Sequence, residues 1–208
     1  MKTLLLVVFV SISLATIGQD TEGFVLVKSD PPIELQERWI EFPNKKTGAT
    51  SRELKTEFTV NTSLYKIMNI IKDESMVKEW HAHIADYKIY PKPDTTTWDE
   101  YSRHDIPWPL NDQDSFLEYK LHEIVPGSEY LVSFKSKADK RIPVYEDVNR
   151  IELVGSWRFI QVQHGVVKVI YRVQSAPGST NVPRMIVDPV IRNNLFASIK
   201  SLTEIVEK

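Results

Sequence analysis

The stretch Asn181 to Lys208 constrains the rest of the chain more than any other. From Ile191, apolar residues return at Leu195, Ile199, Leu202 and Val206, with Asn193, Lys200, Ser201, Glu204 and Lys208 between them. That is the 3.6-residue period of an amphipathic helix, and one face of it must be buried. Pro183 can open the helix, because its missing N–H falls among donors that have no intrahelical partner in any case, and Asp188-Pro189 repeats a cap-then-proline signal. The pattern predicts one helix, kinked or restarted near Pro189. A helix with such a face, placed after a long run of strands, needs a curved sheet to lie against.

The upstream chain supplies the strands. Ile33 to Phe42 and Ser51 to Val60 both alternate apolar with polar residues, and Pro43-Asn44 and Thr47-Gly48 provide turn chemistry between them, which predicts an antiparallel pair with one wet face. Before them, Phe24 to Lys28 fits a short strand or a first helical turn. Asn61 or Thr62 can cap a helix carrying Leu64, Ile67, Met68 and Ile71, and Asp73 a second one carrying Met76, Val77 and Trp80. Asn61-Thr62-Ser63 also fits a glycosylation sequon, but capping accounts for it. From Ala85 the period becomes two. Asp86 to Tyr90, Thr97 to Arg103, Phe116 to Ile124, Ser128 to Ser136, Asn149 to Gln161 and Val166 to Ser175 are strand candidates, and the short connections between them predict an antiparallel meander. In the last strand Val167, Val169, Tyr171 and Val173 share one face while Lys168, Arg172 and Gln174 occupy the other.

Charge and composition exclude several classes. With 26 basic and 28 acidic side chains well mixed along 208 residues, nothing resembles the basic footprint of a nucleic-acid binder. The absence of cysteine rules out disulfides, thiolate metal sites and cysteine nucleophiles. Met1 to about Gly18 reads as a signal peptide: Lys2 is the positive flank, Leu4 to Leu14 an apolar run too short to span a bilayer comfortably, and Ala15 or Gly18 a small residue for cleavage. An uncleaved anchor is the alternative, and either implies export to a periplasmic or extracellular location.

The order of elements, with Val77-Lys78-Glu79-Trp80, Asp105-Ile106-Pro107-Trp108-Pro109-Leu110 followed by Asp112-Gln113-Asp114, Gly155-Ser156-Trp157, and the passage Ser175 to Pro183 into the last helix, resembles the START family. These are the lipid-transfer domains related to the steroidogenic acute regulatory protein, within the helix-grip class. The resemblance covers residues 24–208, nearly all of the chain after the N-terminal segment. It departs at Gln113, where the family usually carries arginine, so an ion pair made there by other members is in doubt. The resemblance implies an α+β fold in which a curved antiparallel sheet grips the C-terminal helix, with two shorter helices after the second or third strand. It also implies an apolar tunnel for one lipid, sterol-like or other hydrophobic molecule, no enzymatic activity, no cofactor, a monomer, and transient membrane contact. Its expected ligand-binding residues are Tyr101, Arg103, Tyr119, Tyr130, Phe134, Trp157 and Tyr171 on the strands and Met185 and Leu195 on the helix. Aromatic side chains with a few polar groups on a concave sheet are one way to line such a pocket; a dry, filled core is the other outcome.

Other constellations are incomplete. His81 and His83 with Asp86 could offer metal donors, but no fourth ligand lies nearby. His104-Asp105 could act as an acid–base pair, although neighbours on a strand point to opposite faces. Serine-nucleophile, Walker and dinucleotide signatures are absent, and 7 glycines leave little for phosphate-cradling loops. On the strand Thr97 to Arg103 the phase stays open: Asp99, Tyr101 and Arg103 face inward, or Trp98 and Glu100 do. Lys135, Lys137, Lys140 and Arg141 crowd a segment that is either a solvated loop or a membrane-touching one. The segment Ala176 to Val182 reads as a hinge for the last helix, and the resemblance implies that the connection Lys137 to Val148, with its Ile142-Pro143-Val144-Tyr145 tip, opposes it across a cavity mouth. An enzyme of cyclase or hydrolase type on the same scaffold, and an interaction module with a filled core, are the competing readings.

Overall fold

The structure, a computed structural model, describes residues 23–43, 50–108, 110–140, 142–176 and 182–208. The expected signal peptide, the Thr47-Gly48 turn, Pro109, Arg141 and all but the ends of the Ala176 to Val182 hinge lie outside those residues.

Three strands open the chain, β1 (Val25–Asp30), β2 (Ile33–Glu41) and β3 (Thr50–Asn61), so the ambiguous segment after Phe24 is a strand. Two short helices follow, α1 (Leu64–Ile70) and α2 (Glu74–Trp80). Then come β4 (Ile84–Pro91), β5 (Thr97–His104), β6 (Asp112–Val125), β7 (Glu129–Ser136), β8 (Val148–Arg150), β9 (Leu153–Gln163) and β10 (Val166–Ser175), and finally α3 (Arg184–Val206). The strands form one sheet in the order β1-β2-β3-β10-β9-β7-β6-β5-β4, antiparallel between neighbours, with β8 off this path. The last strand thus lies against the third and closes two meanders into a single surface.

Local chemistry explains the boundaries. Asp73 caps α2, its Oδ1 accepting from the amides of Ser75 at 2.9 Å and Met76 at 3.1 Å. At α1 the cap is Ser63, whose hydroxyl accepts from the Lys66 amide at 3.2 Å, rather than Asn61 or Thr62. Asn61 instead donates through its backbone and side-chain nitrogens to Glu207 at 2.9 and 3.1 Å, tying the end of β3 to the end of α3. Gly165 turns the β9–β10 hairpin at a φ of 74°, where a side chain would be strained. Gly155 answers a different need. A Cβ there would meet the Arg172 carbonyl oxygen at 2.2 Å and the Phe134 ring at 2.4 Å, so only glycine lets that ring lie flat across β9.

The expected single strand Asn149 to Gln161 is divided. β8 pairs in parallel with β6, Val148 opposite Asp112, which breaks the simple meander. The cause is Asp114: its carboxylate is buried and takes both Arg150 Nε and Nη2 at 2.6 Å, while its carbonyl accepts from the Ile151 amide at 2.9 Å. The aspartate next to Gln113 is therefore paired after all, by an arginine from another strand.

The main core lies between the concave face and the helices. Phe58, Val60, Val167, Val169 and Phe159 on the sheet meet Ile67 and Val77 on the short helices and Ile199, Leu202 and Val206 on α3, all at 2% exposure or less. A smaller cluster of Tyr101, Phe116 and Ile142 with Tyr90 forms separately. The helix α3 is continuous through Pro189. Proline there removes the amide that would donate to the Met185 carbonyl, and that turn is exposed enough for water to replace it.

Candidate functional site

Between the concave face and α3 lies a cavity of about 50 Å³, room for a few waters rather than a lipid, since a single water needs roughly 10–15 Å³ on this scale. α3 contributes Leu195, Ser198 and Ile199; α2 and the residue after it contribute Val77, Trp80 and His81. The sheet contributes Tyr87, Trp98, Glu100, Tyr119, Trp157 and Tyr171. The rings brace one another: Trp98 stacks on Tyr119 at 5.1 Å, Trp157 lies 4.1 Å from Tyr171, and Trp80 meets Trp157 edge-on at 6.3 Å.

The phase of β5 decides the site. Trp98, Glu100, Ser102 and His104 alternate on the inner face, so Asp99, Tyr101 and Arg103 fall on the other. The burial of Trp98 against Tyr119 fixes this phase, since a strand cannot offer both parities to one face. Tyr101 packs in the smaller cluster with its hydroxyl 3.4 Å from Asp114, and Arg103 pairs with Asp112 at 2.7 Å; neither reaches the cavity.

Of the other expected ligand residues, Tyr119, Trp157, Tyr171 and Leu195 are brought together on the cavity wall. Phe134 lies behind that wall, its ring 5.1 Å from Tyr119 and 6.1 Å from Tyr171. Tyr130 turns to the β6–β7 hairpin, where its hydroxyl donates to Glu123 at 2.9 Å, and Met185 is 82% exposed on the first turn of α3.

Of the polar residues of this site, the sequence offers Glu100 only as the alternative inward phase of β5 and His81 only as a metal donor, and neither is among the expected ligand-binding residues. Glu100 is buried and accepts the Tyr87 hydroxyl at 2.6 Å and the Tyr119 hydroxyl at 3.2 Å. Burial pushes its carboxyl up to about 7, against the partial opposition of those hydrogen bonds. Tyr87 and Tyr119 are raised in turn, by burial first and then by the neighbouring carboxyl. The Trp80 indole N–H is buried with no acceptor among the described residues. The signal for Glu100 is that it shares a face with Trp98, and the stacking of Trp98 on Tyr119 turns that face inward.

The turn between α2 and β4 closes one side. Ser198 accepts the Ala82 amide at 2.9 Å while donating to the Asn194 carbonyl, and the His83 carbonyl accepts the Asp105 amide at 2.8 Å. His81 and His104 lie ring to ring at 4.8 Å, and burial holds them down to about 4 and about 3. Both are neutral imidazoles near neutral pH. Asp86 accepts its neighbour's amide instead of joining them, and among the described residues no group of three or more such side chains is placed to hold a metal.

No protein-family model matches the chain. An uncharacterized protein of Pseudomonas aeruginosa is 26% identical over 132 residues, 62% of this chain and 63% of that protein, so the match spans less than two thirds of the relative's length. Among solved structures, a STAR-related lipid transfer protein fragment from Xanthomonas axonopodis superposes with a TM-score of 0.73 at 19% identity, covering 90% of this chain and all of that one. Human StAR-related lipid transfer protein 5 gives 0.75 at 12% identity over 90% of this chain and 88% of that one. The Zhui aromatase/cyclase from Streptomyces sp. R1128 gives 0.56 at 11% identity over 76% and 94%. A curved antiparallel sheet gripping a long C-terminal helix, with two shorter helices after the third strand, is what these superpositions share: the chain has the α+β helix-grip fold of the START-related lipid-transfer proteins.

Proposed function

We propose that this protein is a non-enzymatic carrier that encloses one hydrophobic molecule between the sheet and α3. The observation that carries this reading is the aromatic and aliphatic wall of the cavity, left unfilled at the centre of a core that is otherwise packed. At about 50 Å³ the enclosed space does not hold a lipid, so loading requires α3 to move away from the sheet. Export by the N-terminal segment and function as a monomer belong to the same proposal. So does transient membrane contact, supported by Trp108 at 91% exposure on the β5–β6 loop and Val144 at 78% on a segment held to the sheet by Arg103 against Tyr145 and Arg150 bonding the Pro143 carbonyl. Native mass spectrometry and solvent extraction of the purified protein test the carrier. One hydrophobic molecule per chain, recovered chemically unchanged, is expected; a protein that takes up nothing from a broad lipid and sterol panel overturns it.

A second reading has its own observation. Two titratable groups line the cavity from different elements, Glu100 of β5 with its carboxyl raised by burial to about 7 and His81 after α2 with its imidazole lowered by burial to about 4, an acid and a base in one space. On that reading the protein is an enzyme of cyclase or hydrolase type, and the extracted molecule is converted on incubation.

A further inference from the structure

We infer that the polar end of the cavity takes a cationic head group, an ammonium on an apolar chain with an oxygen acceptor beside it, as in a long-chain amino alcohol. The inference rests on the carrier reading and names the ligand class for that cavity.

Glu100 motivates it first. Its carboxyl is enclosed by the hydroxyls of Tyr87 on β4 and Tyr119 on β6, and no lysine or arginine lines the cavity. An ionised carboxylate buried without a counter-charge is costly, which is why burial raises it to about 7. A bound ammonium supplies the missing charge and three N–H donors for the lone pairs the tyrosines leave free. Trp157 and Tyr171 line the same cavity and add attraction for a cation that reaches a ring face.

Trp80 motivates it second. Among the described residues its indole N–H, on the α2 side of the same cavity, is buried without an acceptor. An ammonium cannot satisfy it, whereas a neighbouring hydroxyl oxygen can. Ile71, Val77, Leu195 and Ile199 give the chain an apolar path. The same inventory argues against a phosphodiester or carboxylate head, which would place a second negative charge beside Glu100 with no cation to offset it.

The surrounding ionisable groups leave this assignment intact. His81 is held neutral by burial. Tyr171 on β10 is raised by burial and by Glu100, so it stays protonated. Glu74 accepts the Ile89 amide at 2.7 Å and adds negative charge near Tyr87. Lys72 lies 4.2 Å from the Trp98 ring and makes no ion pair with Glu100.

The test is binding of dodecylamine, dodecanol, dodecanoate and a vicinal aminododecanol to the full chain by calorimetry. Dodecylamine should bind roughly tenfold or more tightly than dodecanol and far more tightly than dodecanoate. An alkylamine stays charged throughout, so its affinity should rise by roughly tenfold between about pH 6 and about pH 8 as Glu100 ionises, while that of dodecanol does not rise. Glu100→Gln should remove both the preference and the slope. The aminododecanol should exceed dodecylamine severalfold, a margin that Trp80→Phe removes. Should either variant fail to fold, the pH profile of the unaltered protein decides. Equal binding of amine and alcohol, a preference for dodecanoate, or an amine affinity flat in pH overturns the inference and leaves the carrier standing. Binding of none of the four overturns the inference, and the carrier reading falls with it only where the broad lipid and sterol panel is refused as well.

Discussion

The two halves of α3 are held to the sheet by different forces. From Phe196 onward the helix lies on the core, with Ile199, Leu202 and Val206 fully buried. Before Arg192 it presents Met185 and Ile186 to solvent and is held by charge instead. Arg52 of β3 pairs with Asp188 and lies 3.3 Å from Glu37 of β2; Arg192 reaches Glu37 at 2.8 Å, and Arg184 lies 3.8 Å over the Trp39 ring. Apolar burial is non-directional and survives small shifts, whereas ion pairs need exact partners and exchange readily for water once the helix lifts. The comparison identifies the second half as the anchor and the first as the end that opens.

The largest effect should come from the anchor. Leu202→Ala removes a fully buried side chain and should cost about 2–5 kcal/mol, seen as a lower midpoint in denaturant with ligand exchange little altered. Arg52→Met should cost less, about 2 kcal/mol, because it strands two partly compensated carboxylates but fills the space. Its distinguishing readout is hydrogen exchange: amides of 184–192 should exchange faster while those of 196–206 hold. Equal acceleration in both halves would show that α3 opens as one unit and break the comparison.

Those two halves were unequally legible in the sequence. Ile199, Leu202 and Val206, continuing the period of Ile191 and Leu195, mark the anchor because apolar periodicity is written locally. The latch joins Arg52 and Glu37 to Asp188 across more than half the chain, and each looks like an ordinary surface charge until strand register places it. The same holds for the site. Tyr119, Trp157, Tyr171 and Leu195 were within reach because large apolar residues on a concave face have few other places to go. Glu100 was not, because neighbouring Asp99 and Tyr101 make either parity of β5 plausible until Trp98 is known to stack on Tyr119. The parallel strand β8 left no local signal either, since its cause is the distant pair Arg150 and Asp114.

Acid should separate the halves again. Burial would raise the Glu37 carboxyl, but the hydrogen bonds from Arg192 and the charges of Arg52 and Arg192 outweigh it and hold it below the usual value. A carboxyl lowered in the folded state contributes stability that is complete above its unfolded value of 4.5 and is lost as pH falls through the lower folded value. His81 and His104 act earlier. Held to about 4 and about 3 when folded, they make the unfolded chain the better proton binder from 6.5 downward, so their contribution fades across that window. Opening free energies from exchange, corrected for the intrinsic pH dependence of amide exchange, should therefore fall globally first, and below about pH 4.5 fall additionally in residues 184–192. Glu37→Gln should remove only that second, local phase. A local phase that survives the substitution would break its assignment to Glu37.

The smallest effect sharpens the comparison most. Arg184 is exposed, lies over Trp39 and pairs with Asp188 at 3.3 Å four residues on. Such contacts contribute a few tenths to about 1 kcal/mol and are screened by salt, so Arg184→Ala should barely move the thermal midpoint. If the first half of α3 opens alone, though, the same few tenths act on a much smaller opening free energy. Release of a bound fluorescent lipid should then quicken by roughly twofold to fivefold. Added salt should quicken release from the unaltered protein in the same way, and quicken it less in the variant, since one screened contact is already gone. A release rate indifferent to both would place the exit elsewhere, with the Pro107 to Asp112 loop beside His83 as the next segment to test.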